Sequence, residues 1–232
     1  MISAYMQATP VVNPCVIFDL DGTLVETEQI WRDVRRDFVL AHNGRWREEA
    51  QTTMIGMRTN EWAHYIHADL GVSLDESAIA DAVIAGVIAR LQGVPVLPGA
   101  NEALDRLGQA FRLGLATSAA GPVADAILAR TGWRERFAVV VSADEVSRGK
   151  PAPDVYLRTL ALLDTRPELA AAVEDSANGL RSAYNAGLRV IAVPNREFAP
   201  DPQTLSLATR TIASLDVLDT SFVRAVLGLQ ET

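Results

Sequence analysis

A chain of 232 residues, 49% hydrophobic and 22% charged, is a folded protein of one or two domains, since domains run to ~150 residues and a disordered chain is poorer in apolar residues. The balance of 21 basic against 29 acidic residues, a formal charge of −8, argues against a broad nucleic-acid surface but leaves room for a small anion held by a few placed groups. One cysteine, Cys15, excludes an internal disulfide and a multi-Cys zinc site; no apolar run nears the ~20 residues of a membrane span and residues 1–15 lack a leader pattern, so a cytoplasmic protein is expected.

Cys15-Val-Ile-Phe-Asp19-Leu20 is a short apolar run that predicts a buried strand delivering Asp19 to its carboxyl end. Ile30, Trp31, Val34, Phe38 and Ala41 then recur at helical spacing, as do Trp62, Tyr65, Ile66 and Leu70, and Ile79, Val83, Val87, Ile88 and Leu91. Residues 26–92 therefore read as wholly helical, ending at Gly93, Pro95, Pro98 and Gly99. Beyond them the rhythm changes to helix-then-strand: helix 100–110 and strand 112–117, helix 122–131 and strand 137–142, helix 153–163 and strand 169–174, helix 178–186 and strand 188–193, with an edge strand near 209–213. Continuous apolar strands alternating with helices imply a parallel sheet covered on both faces. The expected fold is α/β: a doubly wound, Rossmann-like core (1–25 and 93–232) with a small helical cap (26–92) inserted after its first strand.

Ligands of such sheets collect at the carboxyl ends of the strands, and the unusual residues lie there. The first strand ends in Asp19-Leu-Asp21-Gly22-Thr23, a pair of acids that repel each other unless a cation sits between them. An EF-hand is excluded, because its Gly and Glu positions hold Leu24 and Ile30. Thr117-Ser118 ends the second strand before a helix start, which suits an N-cap or an anion site. Lys150, in Gly-Lys-Pro-Ala-Pro, is the one lysine among 21 basic residues, a compact charge with three donors in a chain that otherwise uses arginine. Glu174-Asp175-Ser176 ends a fourth strand; with the first acid pair it makes a hard-oxygen cluster suited to Mg²⁺.

Taken in order, Asp19-Leu-Asp-Gly-Thr23, Thr117-Ser118, Lys150-Pro and Glu174-Asp175-Ser176 resemble the four motifs of the haloacid dehalogenase-like hydrolase superfamily. The helical insertion resembles the cap of the group with phosphoglycolate phosphatase, β-phosphoglucomutase and sugar-phosphate phosphatases. The resemblance implies Asp19 as a nucleophile forming an aspartyl-phosphate and Asp21 as general acid and base. It implies Thr117, Ser118 and Lys150 on the phosphoryl group. Asp19, Asp21, Asp175 and Glu174 would surround Mg²⁺, Asp21 through its backbone carbonyl and Glu174 as a further or supporting acid. It implies a phosphatase for a small phosphorylated metabolite of the sugar or sugar-acid phosphate class. Neither nucleic acid nor membrane is an expected partner; a monomer or weak homodimer is expected. Asp21 and the Glu174-Asp175 pair point away from the metal-free dehalogenases.

The loop Gly56-Met-Arg58-Thr-Asn-Glu61 resembles one that relatives lower over substrate, and Arg58 is expected to meet the distal part of an anionic substrate or to lie on the surface. Closure would hinge near 25–27 and 93–96. A mutase is the alternative; mutases carry His four residues after a Thr, whereas Thr27 is followed here by Trp31. A non-catalytic sugar-phosphate sensor is a remoter alternative. His64 and His67 are expected to pack or to lie on the surface, Cys15 to be a small core residue and not a reactive thiol, and Trp31, Trp46 and Trp62 to pack in the core or between domains.

Overall fold

A computed structural model describes residues 14–194 and 199–230. The first strand, β1 (Cys15–Phe18), is fully buried. Four helices follow before the sheet resumes: α1 (Glu28–Ala41), α2 (Ala50–Met54), α3 (Thr59–Ala68) and α4 (Glu76–Arg90). Then come α5 (Ala100–Gly108), β2 (Arg112–Thr117), α6 (Gly121–Thr131), β3 (Val139–Ser142), α7 (Asp154–Leu162), β4 (Ala170–Glu174), α8 (Ala177–Asn185) and β5 (Arg189–Ala192). The short α9 (Pro202–Leu205), a two-residue edge strand β6 (Arg210–Thr211) and α10 (Thr220–Leu227) complete the described chain.

The strands form one parallel sheet in the order β3-β2-β1-β4-β5-β6. Successive side chains of a strand point to opposite faces, and this splits the core in two. Val16, Phe18, Leu115 and Val173 join the face covered by α5, α6 and α10, a cluster continuous with the buried residues of α1, α3 and α4. Cys15, Ile17, Ala116 and Ala172 join the face covered by α7 and α8. Both faces are buried, as the uninterrupted apolar runs require. Burial raises the Cys15 thiol to about 11, so it is a small core side chain and not a reactive one.

The chain leaves and re-enters the sheet side by side. Val25 bridges Val96, the Glu26 N–H donates to the Pro95 carbonyl (2.8 Å) and the Leu97 N–H to that of Leu24 (2.9 Å). The two segments expected to act as a hinge thus form a two-stranded neck. Above it α3 packs on α4 and α4 on α1. The helix α2 lies within the stretch expected to be helical but was not picked out as an element, its five residues being too few to show a period. No helix among the described residues is long and apolar enough to cross a membrane.

Candidate active site

β1 and β4 are neighbours at the point where the strand order reverses, the place in a doubly wound sheet where loops diverge and open a crevice. Their carboxyl ends carry Asp19 and the Glu174-Asp175 pair. The carboxylates of Asp19, Glu174 and Asp175 all offer oxygens within 4.8 Å of one another, and all three residues are buried. Lys150 closes the cluster: its Nζ donates to Asp19 Oδ1 (2.7 Å), Glu174 Oε1 (2.5 Å) and the Ala116 carbonyl (3.1 Å). All three ammonium donors are therefore spent within the site. The loop that carries it is fixed by the prolines at 151 and 153, with a cis peptide between Lys150 and Pro151.

Burial dominates the electrostatics. It raises Asp19 to about 8, with Lys150 opposing and Glu174 and Asp21 adding to the rise. Burial, then the charges of Asp19 and Glu174, hold Asp175 well above the usual carboxylate range. Burial alone would lower Lys150, but Asp19 and Glu174 outweigh it and raise the lysine above its ordinary value. Three carboxylates against one ammonium leave the cluster short of positive charge, the condition under which buried acids bind a cation. The packing leaves no slack: a methyl group on Gly22, whose φ is +84°, would lie 2.1 Å from Asp175 Oδ2. Thr23 Oγ1 donates to Asp175 Oδ1 at 3.3 Å.

Asp21 stands apart from the acid cluster. Burial raises its pKa, while the Thr27 hydroxyl, the Trp31 indole, Lys150 and Thr117 pull against that rise. Thr27 Oγ1 makes a short hydrogen bond to Asp21 Oδ1, and Thr117 Oγ1 a longer one of 3.5 Å to Oδ2. A carboxyl raised by burial and steered by hydroxyls is suited to holding and releasing a proton.

A cavity of about 50 Å³ lies over these strand ends. Its floor is Asp19, Asp21, Ser118, Ala119, Lys150 and Ser176; its roof is Glu28, Trp31, Arg35, Met54–Met57 and Trp62, all from the α1–α3 region. That is room for a few waters at ~10–15 Å³ each, so the roof sits low over the strand ends. The roof is tied down at several points. Ser118 Oγ donates to the Gly56 carbonyl (3.1 Å) and Asn178 Nδ2 to that of Ile55 (3.1 Å). Arg58 donates to the Val146 carbonyl (2.8 Å), and Thr59 donates through its N–H (3.1 Å) and hydroxyl (2.7 Å) to Asp144.

Six of the eight residues singled out from the sequence gather at the strand ends: Asp19, Asp21, Thr117, Lys150, Glu174 and Asp175. Ser118 also lies at the cavity, with its hydroxyl turned to the Gly56 carbonyl. Thr117 is fully buried, and its hydroxyl accepts from the Ala119 N–H (3.0 Å) as well as donating to Asp21. Arg58 does not line the cavity. Its guanidinium is spent on Val146 and Glu61, because the loop that carries it docks on the neighbouring core loops. His64 pairs with Glu76 (2.7 Å) and the His67 ring contacts the Val72 and Leu74 carbonyls, so the two do not converge.

Sequence reasoning missed Tyr156, whose hydroxyl donates to Glu174 Oε1 at 2.7 Å. A tyrosine on the buried stripe of α7 needs a partner for that hydroxyl, and this was the available signal. It also missed Glu28 and Arg35 in the roof, and Gln51, which hydrogen-bonds to both. An arginine four residues after Trp31, on the apolar face of α1, was the clue there.

The comparisons agree with the geometry. Residues 16–193 match the family profile described as haloacid dehalogenase-like hydrolase. The chain is 37% identical over 193 residues to protein CbbY of Rhodobacter capsulatus, covering 78% of this chain and 85% of that one. It is 32% identical over 219 residues to hexitol phosphatase B of Escherichia coli K12 (91% and 96%). It matches only 49% of a bifunctional riboflavin kinase/FMN phosphatase of Arabidopsis thaliana, at 31% identity over 187 residues and 79% of this chain. Among solved structures, CbbY from Rhodobacter sphaeroides in complex with phosphate superposes with a TM-score of 0.81 at 29% identity, over 94% of this chain and all 100% of that one. A profile match over most of the chain, on a sheet that brings all four motifs to one place, establishes that this protein belongs to the haloacid dehalogenase-like hydrolase family.

Proposed function

We propose that the protein is a Mg²⁺-dependent phosphatase for a small phosphorylated metabolite of the sugar or sugar-acid phosphate class, working through an aspartyl-phosphate on Asp19. The observation that carries this reading is Asp19 itself: buried, bonded to Lys150, and within one acid cluster with Glu174 and Asp175. In-line attack by one Asp19 oxygen on phosphorus would form the aspartyl-phosphate and release the alcohol. Asp21, with its raised pKa, would protonate the departing oxygen and then take the proton from the attacking water. Lys150 and the backbone N–H groups after Thr117 would offset the charge of the phosphoryl oxygens.

The donor set fits Mg²⁺, which takes carboxylate and carbonyl oxygens. Asp19, Asp175 and the Asp21 carbonyl would hold it. When bound it would neutralise the repulsion between an anionic nucleophile and an anionic ester. Glu174, whose Oε1 already accepts from both Lys150 and Tyr156, serves better as the anchor of Lys150 than as a direct ligand. Residues 26–92 would act as a cap that opens for substrate and closes to exclude water.

Hexitol phosphatase B, alike over nearly the whole chain, supports the sugar-phosphate class. Trp31 supports hydrolysis over the phosphotransfer-isomerase alternative, because the indole beside Asp21 does not titrate where a mutase carries an imidazole. The test is phosphate release from p-nitrophenyl phosphate and a panel of sugar phosphates with and without Mg²⁺. Metal-dependent release lost in Asp19→Asn is the expected result. Conversion of β-glucose 1-phosphate to glucose 6-phosphate without free phosphate would overturn it.

A further inference from the structure

We infer that Arg35, positioned by Gln51, forms a second anion subsite in the roof of the cavity, reading a carboxylate or phosphate on the part of the substrate remote from the transferred phosphoryl group. The inference rests on the phosphatase reading for the identity of the first group, but its own support lies in the roof.

Arg35 is 5% exposed, lies on α1 and lines the same cavity as Asp19 and Lys150. Its Nε is the one buried side-chain nitrogen or oxygen without a hydrogen-bond partner among the described residues. The single hydrogen bond of the guanidinium there is a long one, 3.4 Å from NH1 to Gln51 Oε1. Five N–H donors are available on a guanidinium, and most of these are unspent. A buried donor left without an acceptor is costly, and more so on a charged group. No carboxylate among the described residues forms an ion pair with it.

The nearest candidate, Glu28, is withheld. Gln51 lies between the two, donating from Nε2 to Glu28 Oε2 (2.7 Å) while its Oε1 faces Arg35. The guanidinium is still held firmly. Its carbon lies 4.6 Å from the Trp31 ring centroid and 5.1 Å from that of Trp62. Aromatic contacts of this kind steady a cation without consuming its N–H groups. A planar fork fixed in place with free donors suits a carboxylate or phosphate taken in bidentate fashion. Burial lowers Arg35 to about 10, with Glu28 and Asp21 opposing, so the group stays cationic at neutral pH. The other lining cation, Lys150, has no donor left, and Arg58 is engaged outside the cavity.

The test uses two matched pairs: 3-phosphoglycerate against glycerol 3-phosphate for a carboxylate tail, and fructose 1,6-bisphosphate against fructose 6-phosphate for a phosphate tail. The wild-type enzyme should favour the charged member of at least one pair by about tenfold or more in kcat/KM, and Arg35→Gln should erase that preference. Arg35→Lys, which keeps the charge but not the fork, should retain part of it and serves if the glutamine variant fails to fold. The same ratios read by calorimetric binding to Asp19→Asn and to its Arg35 double variants need no turnover. Equal ratios in wild type and both Arg35 variants, or no preference for a charged tail in either pair, would overturn the subsite. If no ester is hydrolysed but the binding preference persists and depends on Arg35, the phosphatase reading falls and the subsite stands.

Discussion

Lys150 occupies a slot that an arginine does not fill. Its ammonium is 2% exposed and meets two carboxylates and a carbonyl from three different directions, which suits three tetrahedral donors and not a planar fork. Lys150→Arg should therefore lower kcat by about two orders of magnitude or more while keeping the charge, measured as phosphate release at saturating Mg²⁺. Asp19→Asn should lower it by about three orders or more, yet melt within ~5 °C of wild type, since the amide is isosteric and relieves a buried carboxylate that already sits unfavourably high. At Gly22 the left-handed backbone and the nearness of Asp175 act together. Gly22→Ala should cost about 1–2 kcal/mol from the backbone alone and further impair Mg²⁺ activation, read by chemical denaturation and by metal titration of activity. Asp19 and Gly22 were legible because they follow an apolar run in an otherwise improbable cluster, and Lys150 because it is the one lysine of the chain. Arg35 and Tyr156 were not, because each lies inside a helical stripe whose period hides a polar member until the partner across the fold is known.

At the scale of elements, the helices and strands with long apolar runs followed the sequence closely. The strand at 137–142 is shorter in the structure, Val139–Ser142, and the last edge strand is two residues long. Among short pieces, α9 and α10 escaped and α2 was covered only by the helical reading of 26–92, since four, eight or five residues do not establish a repeat. The docking of the 55–59 loop was also illegible, and it changes the reading of Arg58. The first turn of α3 takes Asp144, a residue of the distant turn after β3, as acceptor for its Thr59 N–H, while Glu61 accepts from the Arg58 N–H. A helix whose start is capped by another part of the fold is stabilised only when the two parts meet. Asp144→Ala should therefore weaken the closed arrangement by about 1 kcal/mol. The expected signature is a rise in KM and a larger radius of gyration in solution scattering with phosphate present. Unchanged values of both would show that the contact does not govern closure.

For the whole molecule, the sheet order places a surplus of buried negative charge at one point, and this predicts how stability depends on metal. Asp19, Glu174 and Asp175 face a single ammonium, and all four residues are buried. In the metal-free protein that imbalance is borne by the fold, with Asp19 and Asp175 pushed toward their protonated forms. A cation that binds the folded site and not the unfolded chain shifts the equilibrium by mass action, about 2.7 kcal/mol at a hundredfold excess over Kd. For a chain of this size that corresponds to a rise of roughly 5–10 °C in melting temperature. Mg²⁺ should produce it, EDTA should reverse it, and Asp175→Asn should abolish it by removing one of the proposed ligands. Because the site lies between β1 and β4, central strands of the sheet, the shift should appear in the global transition and not as a separate local one. Full activity in EDTA together with an unmoved melting curve would show that the acid cluster holds no metal and that Lys150 alone balances it.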